Sequence, residues 1–259
     1  MAHYAIHTPL NKDKRFYQKY LDKGLSPTEA CYAALIEGMD KSLGDLMSYL
    51  EATNQMNNTI LIFMSDNGGL AATARTPPLH TQNAPLKSGK GSAYEGGIRE
   101  PMIISWPGVT TPASVCDKYM IIEDFYPTIL EMAGVKKYHT IQKVDGKSLV
   151  SMIKGKKDIS KGRSLIWNIP NLWDCDGPGI GPSCTIRKDD WKLIYYYKTG
   201  KKELFNIKED IGEKNNLASE NPKLVKKLSN ELGRQLRKKD AQRPSYKSNN
   251  QPVPWPDEI

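Results

Sequence analysis

Thr59-Ile60-Leu61-Ile62-Phe63-Met64-Ser65-Asp66-Asn67-Gly68-Gly69 is an unbroken apolar run that ends in an acidic, glycine-rich turn. A continuous apolar segment of strand length suits a strand buried on both faces of a parallel sheet. Upstream, Ser26-Pro27-Thr28-Glu29 reads as a helix start: Ser26 as cap, Pro27 at the first helical position, Glu29 completing a capping box. Cys31, Leu35, Met39, Leu43, Leu46 and Leu50 then recur at steps of three or four, the spacing of one apolar helix face. A helix that feeds a buried strand is the rhythm of an α/β fold. In open α/β sheets, ligands bind outside the carboxyl ends of the strands, which is where Asp66 and Asn67 fall.

Further out from this pair, residues 1–10 read as an apolar strand end turning into a loop at His7-Thr8-Pro9. Pro101 to Trp106 reads as another buried strand stopped by Pro107-Gly108, and Phe125 to Met132 as a helix ended near Gly134. Beyond Gly155 the pattern changes. Short aromatic or alternating segments such as Trp191 to Tyr197, separated by turns such as Thr199-Gly200, predict an antiparallel sheet. Asn221-Pro222 opens a helix carrying Leu224, Leu228, Leu232 and Leu236 at steps of four, and from Arg243 the chain is rich in Pro, Ser and Asn and reads as irregular. The expected division is 1–160, 161–242 as a small sheet-plus-helix subdomain, and 243–259 as a tail.

A chain of 259 residues can bury a sizeable core, and no stretch approaches the roughly 20 apolar residues of a membrane span. The net charge of +8 is uneven: residues 1–135 hold 11 Lys and Arg against 14 Asp and Glu, residues 136–259 hold 26 against 15. No aromatic-interleaved basic motif accompanies the basic half, so nucleic acid is not an expected partner; a lysine-rich solvated surface accounts for it. None of the four cysteines forms a CxxC pair, which argues against a structural zinc site; Cys175 and Cys184 flank a Gly/Pro loop and could pair under oxidising conditions. No basic-then-apolar leader opens the sequence, and no location is assigned.

Three features carry chemistry. Asp66 and Asn67 offer a carboxylate and an amide oxygen, hard donors suited to Ca²⁺ or Mg²⁺ rather than zinc, although Asp-Asn-Gly-Gly is equally good turn sequence. Lys90 sits between Gly89 and Gly91, where the backbone can approach a ligand closely and the ammonium can bind a phosphate or sulfate oxygen. The same residues also fit an exposed lysine in a flexible loop, and the spacing is not that of a Walker-type phosphate loop. His7, at the expected strand end, can donate to an anionic ester or protonate a leaving group.

The order and wording of these pieces resemble the formylglycine-dependent sulfatases. The resemblance rests on His3-Tyr-Ala-Ile-His7-Thr-Pro9, Ser65-Asp66-Asn67-Gly-Gly69 and Asn83-Ala-Pro-Leu-Lys-Ser-Gly-Lys90-Gly-Ser-Ala-Tyr-Glu-Gly-Gly-Ile-Arg-Glu-Pro101. Trp106-Pro-Gly, Asp124-Phe-Tyr-Pro, Asp145-Gly-Lys-Ser-Leu, Trp191-Lys-Leu-Ile and Glu203-Leu-Phe-Asn agree with it. It implies an alkaline-phosphatase-like α/β sandwich with a largely parallel central sheet, plus a small C-terminal α+β subdomain with an antiparallel sheet. It implies hydrolysis of sulfate esters, with a sulfated small molecule or glycan as partner and neither nucleic acid nor membrane. It further implies that Asp66 and Asn67 are metal ligands, for calcium in preference to magnesium. Lys90 would grip the sulfate, His7 would lie beside the leaving oxygen, and His80 would stand on the substrate rim. Glu95 and Arg99, four apart and opposite in charge, read as a bracing ion pair.

The sequence also departs from that family. Its nucleophile is a formylglycine made from Cys or Ser in a Cys/Ser-x-Pro/Ala-x-Arg motif, and none of Cys31, Cys116, Cys175 and Cys184 begins one. The aspartates that precede the His-Thr-Pro segment in the family are absent too. The expectation is therefore the C-terminal part of a sulfatase, inactive alone, with the N-terminal part of the same protein as its partner and a periplasmic or secreted setting for the intact form. Two alternatives stand beside it. One is a phosphodiesterase or phosphonate hydrolase on the same scaffold, which four histidines support poorly. The other is a non-catalytic protein that binds sulfated glycans. In Trp167-Asn168-Ile-Pro-Asn171-Leu-Trp173, Asn168 and Asn171 stand where related sulfatases often carry histidine, and this segment and Gly177-Pro-Gly-Ile-Gly181 are candidates for the rim.

Overall fold

A computed structural model describes residues 1–173 and 175–259. The chain divides into two compact units, Met1–Pro107 with Trp173–Gly181, and Gly108–Leu172 with Pro182–Ile259.

In the first unit, α1 (Tyr17–Asp22) precedes α2 (Pro27–Ala52). Ser26 caps α2 by accepting the Glu29 amide at 3.3 Å. The reciprocal arm of the expected capping box is replaced: the Glu29 carboxylate takes Arg75 through Nε at 2.8 Å and Nη2 at 2.5 Å, and the Thr76 amide at 3.2 Å. Arg75 also donates to the Leu70 carbonyl at 2.9 Å and lies 3.7 Å from the centre of the Tyr32 ring. The start of α2 thus clamps the segment that follows the Asp66 turn. The buried side of α2 is Ala30, Tyr32, Ala34 and Leu50, while Cys31, Leu35, Met39, Leu43 and Leu46 are only half-buried. Helical spacing identified the helix and its buried Leu50, while Ala30, Tyr32 and Ala34 are buried near its start outside that stripe.

Strand β1 (Leu61–Met64) leads into the Asp66 turn, α3 (Glu95–Ile98) follows the lysine loop, and β2 (Met102–Ser105) closes the unit. β1 and β2 pair antiparallel, Met64 opposite Met102 and Leu61 opposite Ser105. The largely parallel central sheet is therefore not found among the described residues, and the strands are not enclosed on both faces: β1 is half-buried throughout and Ile103 is exposed. An apolar run specifies that burial is favoured but says nothing of which partner strand it finds, or in which direction. Residues 1–10 form turns instead of a strand, with the His7 amide bonded to the Tyr4 carbonyl at 3.0 Å.

The second unit begins with α4 (Phe125–Met132) and α5 (Val150–Ile153) and continues as an antiparallel meander. Its strands are β3 (Ser164–Ile169), β4 (Ser183–Lys188), β5 (Trp191–Tyr196) and β6 (Lys202–Asn206). Helix α6 (Pro222–Lys238) packs on β4 and β5. Leu228, Leu232 and Leu236 meet Cys184, Ile186, Leu193, Tyr195, Tyr197 and Leu204 in one apolar core, which Val253 and Trp255 from the irregular terminal stretch complete. The other face of β5 carries Lys192, whose Nζ lies 2.8 Å from Glu213 with both side chains fully buried. All four cysteines are free, Cys184 inside the core, so the Cys175–Cys184 bridge is not formed. No helix among the described residues is long and apolar enough to cross a membrane.

Candidate functional site

The first unit brings the Asp66 turn and the lysine loop into direct backbone contact. The Gly68 amide donates to the Gly97 carbonyl at 3.1 Å, and the Lys90 amide donates to the Gly69 carbonyl at 3.1 Å. Such an approach needs glycine: a Cβ on Gly68 would stand 1.9 Å from the Gly96 carbonyl oxygen. Asn83 fastens the two loops from the side, its Nδ2 donating to the carbonyls of Gly69 at 2.8 Å and Ser88 at 2.9 Å. Sequence reasoning quoted Asn83 as part of the loop but missed this role, because nothing in spacing marks a carboxamide that bonds backbone 14 residues away. The Lys87 ammonium lies 3.9 Å from the Tyr94 ring centre, and buried Glu95 pairs with Arg99 at 3.4 Å, the brace expected from their spacing.

Asp66 is exposed and Asn67 half-buried; Asn67 Nδ2 reaches only the neighbouring Gly68 carbonyl, at 3.2 Å, which leaves its Oδ1 uncommitted among the described residues. Glu100 precedes β2 by the same two positions by which Asp66 follows β1, so the paired strands bring the two carboxylates to one end of the ladder. Burial, with the Asp66 charge adding, pushes the Glu100 carboxyl up to about 8, and its buried Oε1 has no hydrogen-bond partner among the described residues. Opposed carboxylates destabilise one another unless a proton or cation intervenes. This donor set of hard oxygens with one orphaned buried atom fits a hard cation such as Ca²⁺. It is part of a coordination shell only, since among the described residues no three His, Cys, Asp or Glu side chains gather closely enough to hold a metal.

His80 follows the same segment, its amide bonded to the Ala71 carbonyl at 2.7 Å. Its ring lies against Gly177, where a Cβ would come within 2.4 Å of Cε1. Among the described residues His7 makes no hydrogen bond or ring contact with this cluster: it is exposed, and its ring meets Thr8, at 2.8 Å from the carbonyl oxygen, and Tyr4. Asn168, a rim candidate, is committed within its own unit, accepting from Tyr197 at 2.8 Å and donating to the Gln242 carbonyl at 2.7 Å. Chemically, the arrangement bonds the turn that carries Asp66 and Asn67 to the loop that carries Lys90, residue types suited to holding an anion next to a cation.

Comparison with known proteins bears on which anion. The family model described as Sulfatase matches residues 1–135, and the model described as N-sulphoglucosamine sulphohydrolase, C-terminal, matches residues 89–242. A protein named sulfatase from Formosa agariphila is 35% identical over 278 aligned residues, covering 98% of this chain and 48% of that protein. N-acetylgalactosamine-6-sulfatase of Mus musculus is 32% identical over 152, covering 58% and 27%. The crystal structure of Ps i-CgsB in complex with k-i-k-neocarrahexaose superposes with a TM-score of 0.75 at 28% identity, covering 93% of this chain and 50% of that one. The phosphonate monoester hydrolase of Agrobacterium radiobacter, at 19% identity and a TM-score of 0.60 over 82% and 41% of the chains, is a likeness of fold alone. The chain spans about half the length of the curated relatives it matches, or less.

Proposed function

This chain belongs to the sulfatase family, and from that premise we propose that it supplies the sulfate-gripping side of an active site that hydrolyses sulfate esters, with a sulfated carbohydrate as the substrate class. The observation that carries this reading is the bonding of the Asp66 turn to the lysine loop, Lys90 amide to Gly69 carbonyl at 3.1 Å. Lys90 neutralises charge on the non-bridging sulfate oxygens, and Asp66 and Asn67 hold a calcium ion. When bound, that ion adds fixed positive charge opposite the same oxygens. His7 handles the proton at the leaving oxygen, and His80 lines the substrate rim. The carbohydrate reading draws on relatives: one is named for an N-acetylgalactosamine sulfate, and one solved structure holds neocarrahexaose.

The nucleophile, a formylglycine, is not supplied by these 259 residues, because no cysteine or serine among them begins a Cys/Ser-x-Pro/Ala-x-Arg motif. The purified chain is therefore expected to leave 4-nitrophenyl sulfate unhydrolysed at any calcium concentration. Turnover that disappears in Lys90→Ala would show that the nucleophile lies within the chain after all; turnover of a phosphonate monoester in preference to the sulfate would move the chemistry to phosphoryl transfer.

A further inference from the structure

The segment Trp173–Gly181 belongs to the same compact unit as the lysine loop although some eighty residues separate them in sequence. It is stitched to that loop: the Ala93 amide donates to the Gly179 carbonyl at 2.9 Å, Ser92 Oγ donates to the Pro178 carbonyl at 2.9 Å, and Ser92 bridges Ile180. At its near end the Trp173 indole lies against Gly91, the residue after Lys90. A Cβ there would fall 1.9 Å from the Trp173 ring, and the positive φ of 85° independently requires glycine. Trp173 nevertheless keeps 39% of its surface exposed. Further along, Gly177 packs on the His80 ring, where a Cβ would come within 2.4 Å of Cε1 and 2.8 Å of Nε2, and His80 Nδ1 is shut off from solvent with no partner among the described residues.

An exposed indole beside the residue that follows Lys90, with an imidazole packed on the same segment four residues further along, pairs an apolar face with a polar group, as a pyranose does. Sugar C–H faces stack on a large rigid aromatic surface, and ring hydroxyls need a hydrogen-bonding group beside it. A purely apolar aryl group would use the indole but not the imidazole. We propose that Trp173 is the platform for the sugar ring that bears the sulfate, with His80 hydrogen-bonding a hydroxyl of the same ring. This inference rests on the sulfate-gripping role given to Lys90, and it makes Trp173 a specificity-determining residue.

The test is equilibrium binding to the full 259-residue chain in the presence of calcium, with inorganic sulfate, N-acetylgalactosamine 6-sulfate and sulfated galacto-oligosaccharides as probes. Wild type should bind a sulfated sugar more tightly than inorganic sulfate. Trp173→Ala should weaken the sulfated sugar about tenfold while leaving inorganic sulfate within about twofold, and Trp173→Phe should recover most of the loss. Far-ultraviolet circular dichroism and melting temperature check that each variant folds. Equal weakening of both probes, or no change for the sugars, would overturn the platform role, as would wild type binding sulfate but no sugar more tightly. If wild type bound neither class of probe, the sulfate-gripping reading itself would fail and the platform with it.

Discussion

Glu29 and Arg75 form the ion pair on which the position of the Asp66 turn depends. Hydrogen bonding to Arg75, together with the Thr76 amide, holds the Glu29 carboxyl below its ordinary value of 4.5 against the opposing effect of burial. A depressed folded-state pKa contributes stability above the unfolded value and loses it as pH falls through the folded one. Glu29→Gln should therefore cost about 1–3 kcal/mol near neutrality, and the difference from wild type should shrink below pH 4.5, as read by denaturant unfolding at several pH values. Among the cysteines, burial pushes the Cys184 thiol up to about 12, whereas Cys116 is exposed. A thiol reagent at pH 8 should label Cys116 in the native protein and spare Cys184 until the chain is unfolded. At this scale the sequence marks Asp66, Asn67 and Lys90 as candidates because each stands in a local motif with its own chemistry. The roles of Asn83 and Glu100, and the contact of Trp173 with Gly91, are not marked in this way, since each depends on a neighbour brought close only by folding.

Helix α6 is the element most completely written in its own sequence. Pro222 sets its first turn, and leucines at steps of four give a stripe that faces β4 and β5. Leu232→Ala should cost about 2–5 kcal/mol, measured as the shift in unfolding free energy, because the side chain is fully buried and its neighbours across the sheet cannot all close in. The antiparallel meander β3–β6 was equally legible, from short alternating segments separated by turns. The β1–β2 pair was not: both runs looked alike as buried strands, and hydrophobicity fixes neither partner nor direction. The opening ten residues show the same limit, an apolar composition that local turns use as readily as a strand would. In α2 the spacing found the helix and its buried Leu50, but not buried Tyr32, which meets Arg75 across 43 residues of sequence.

For the whole molecule, two family models that together run from residue 1 to 242 tie the loop cluster and the meander-plus-helix unit to one kind of protein. The sequence signal for that kinship runs along the chain from residue 1 to 242, and the fold explains why the order of the turn and the lysine loop matters. The antiparallel pairing of β1 with β2 returns the chain to the end of the ladder from which Asp66 departs, and glycines let the two loops touch. On the proposed function, these loops together hold a sulfate group with the help of a cation. Calorimetric titration of the chain with sulfate, with and without calcium, tests it most directly. Calcium should tighten sulfate binding, Asp66→Asn should remove that dependence, and Lys90→Ala should weaken binding about tenfold to a hundredfold, the worth of one charge-assisted contact. Sulfate affinity that is unchanged by Lys90→Ala and indifferent to calcium would contradict it.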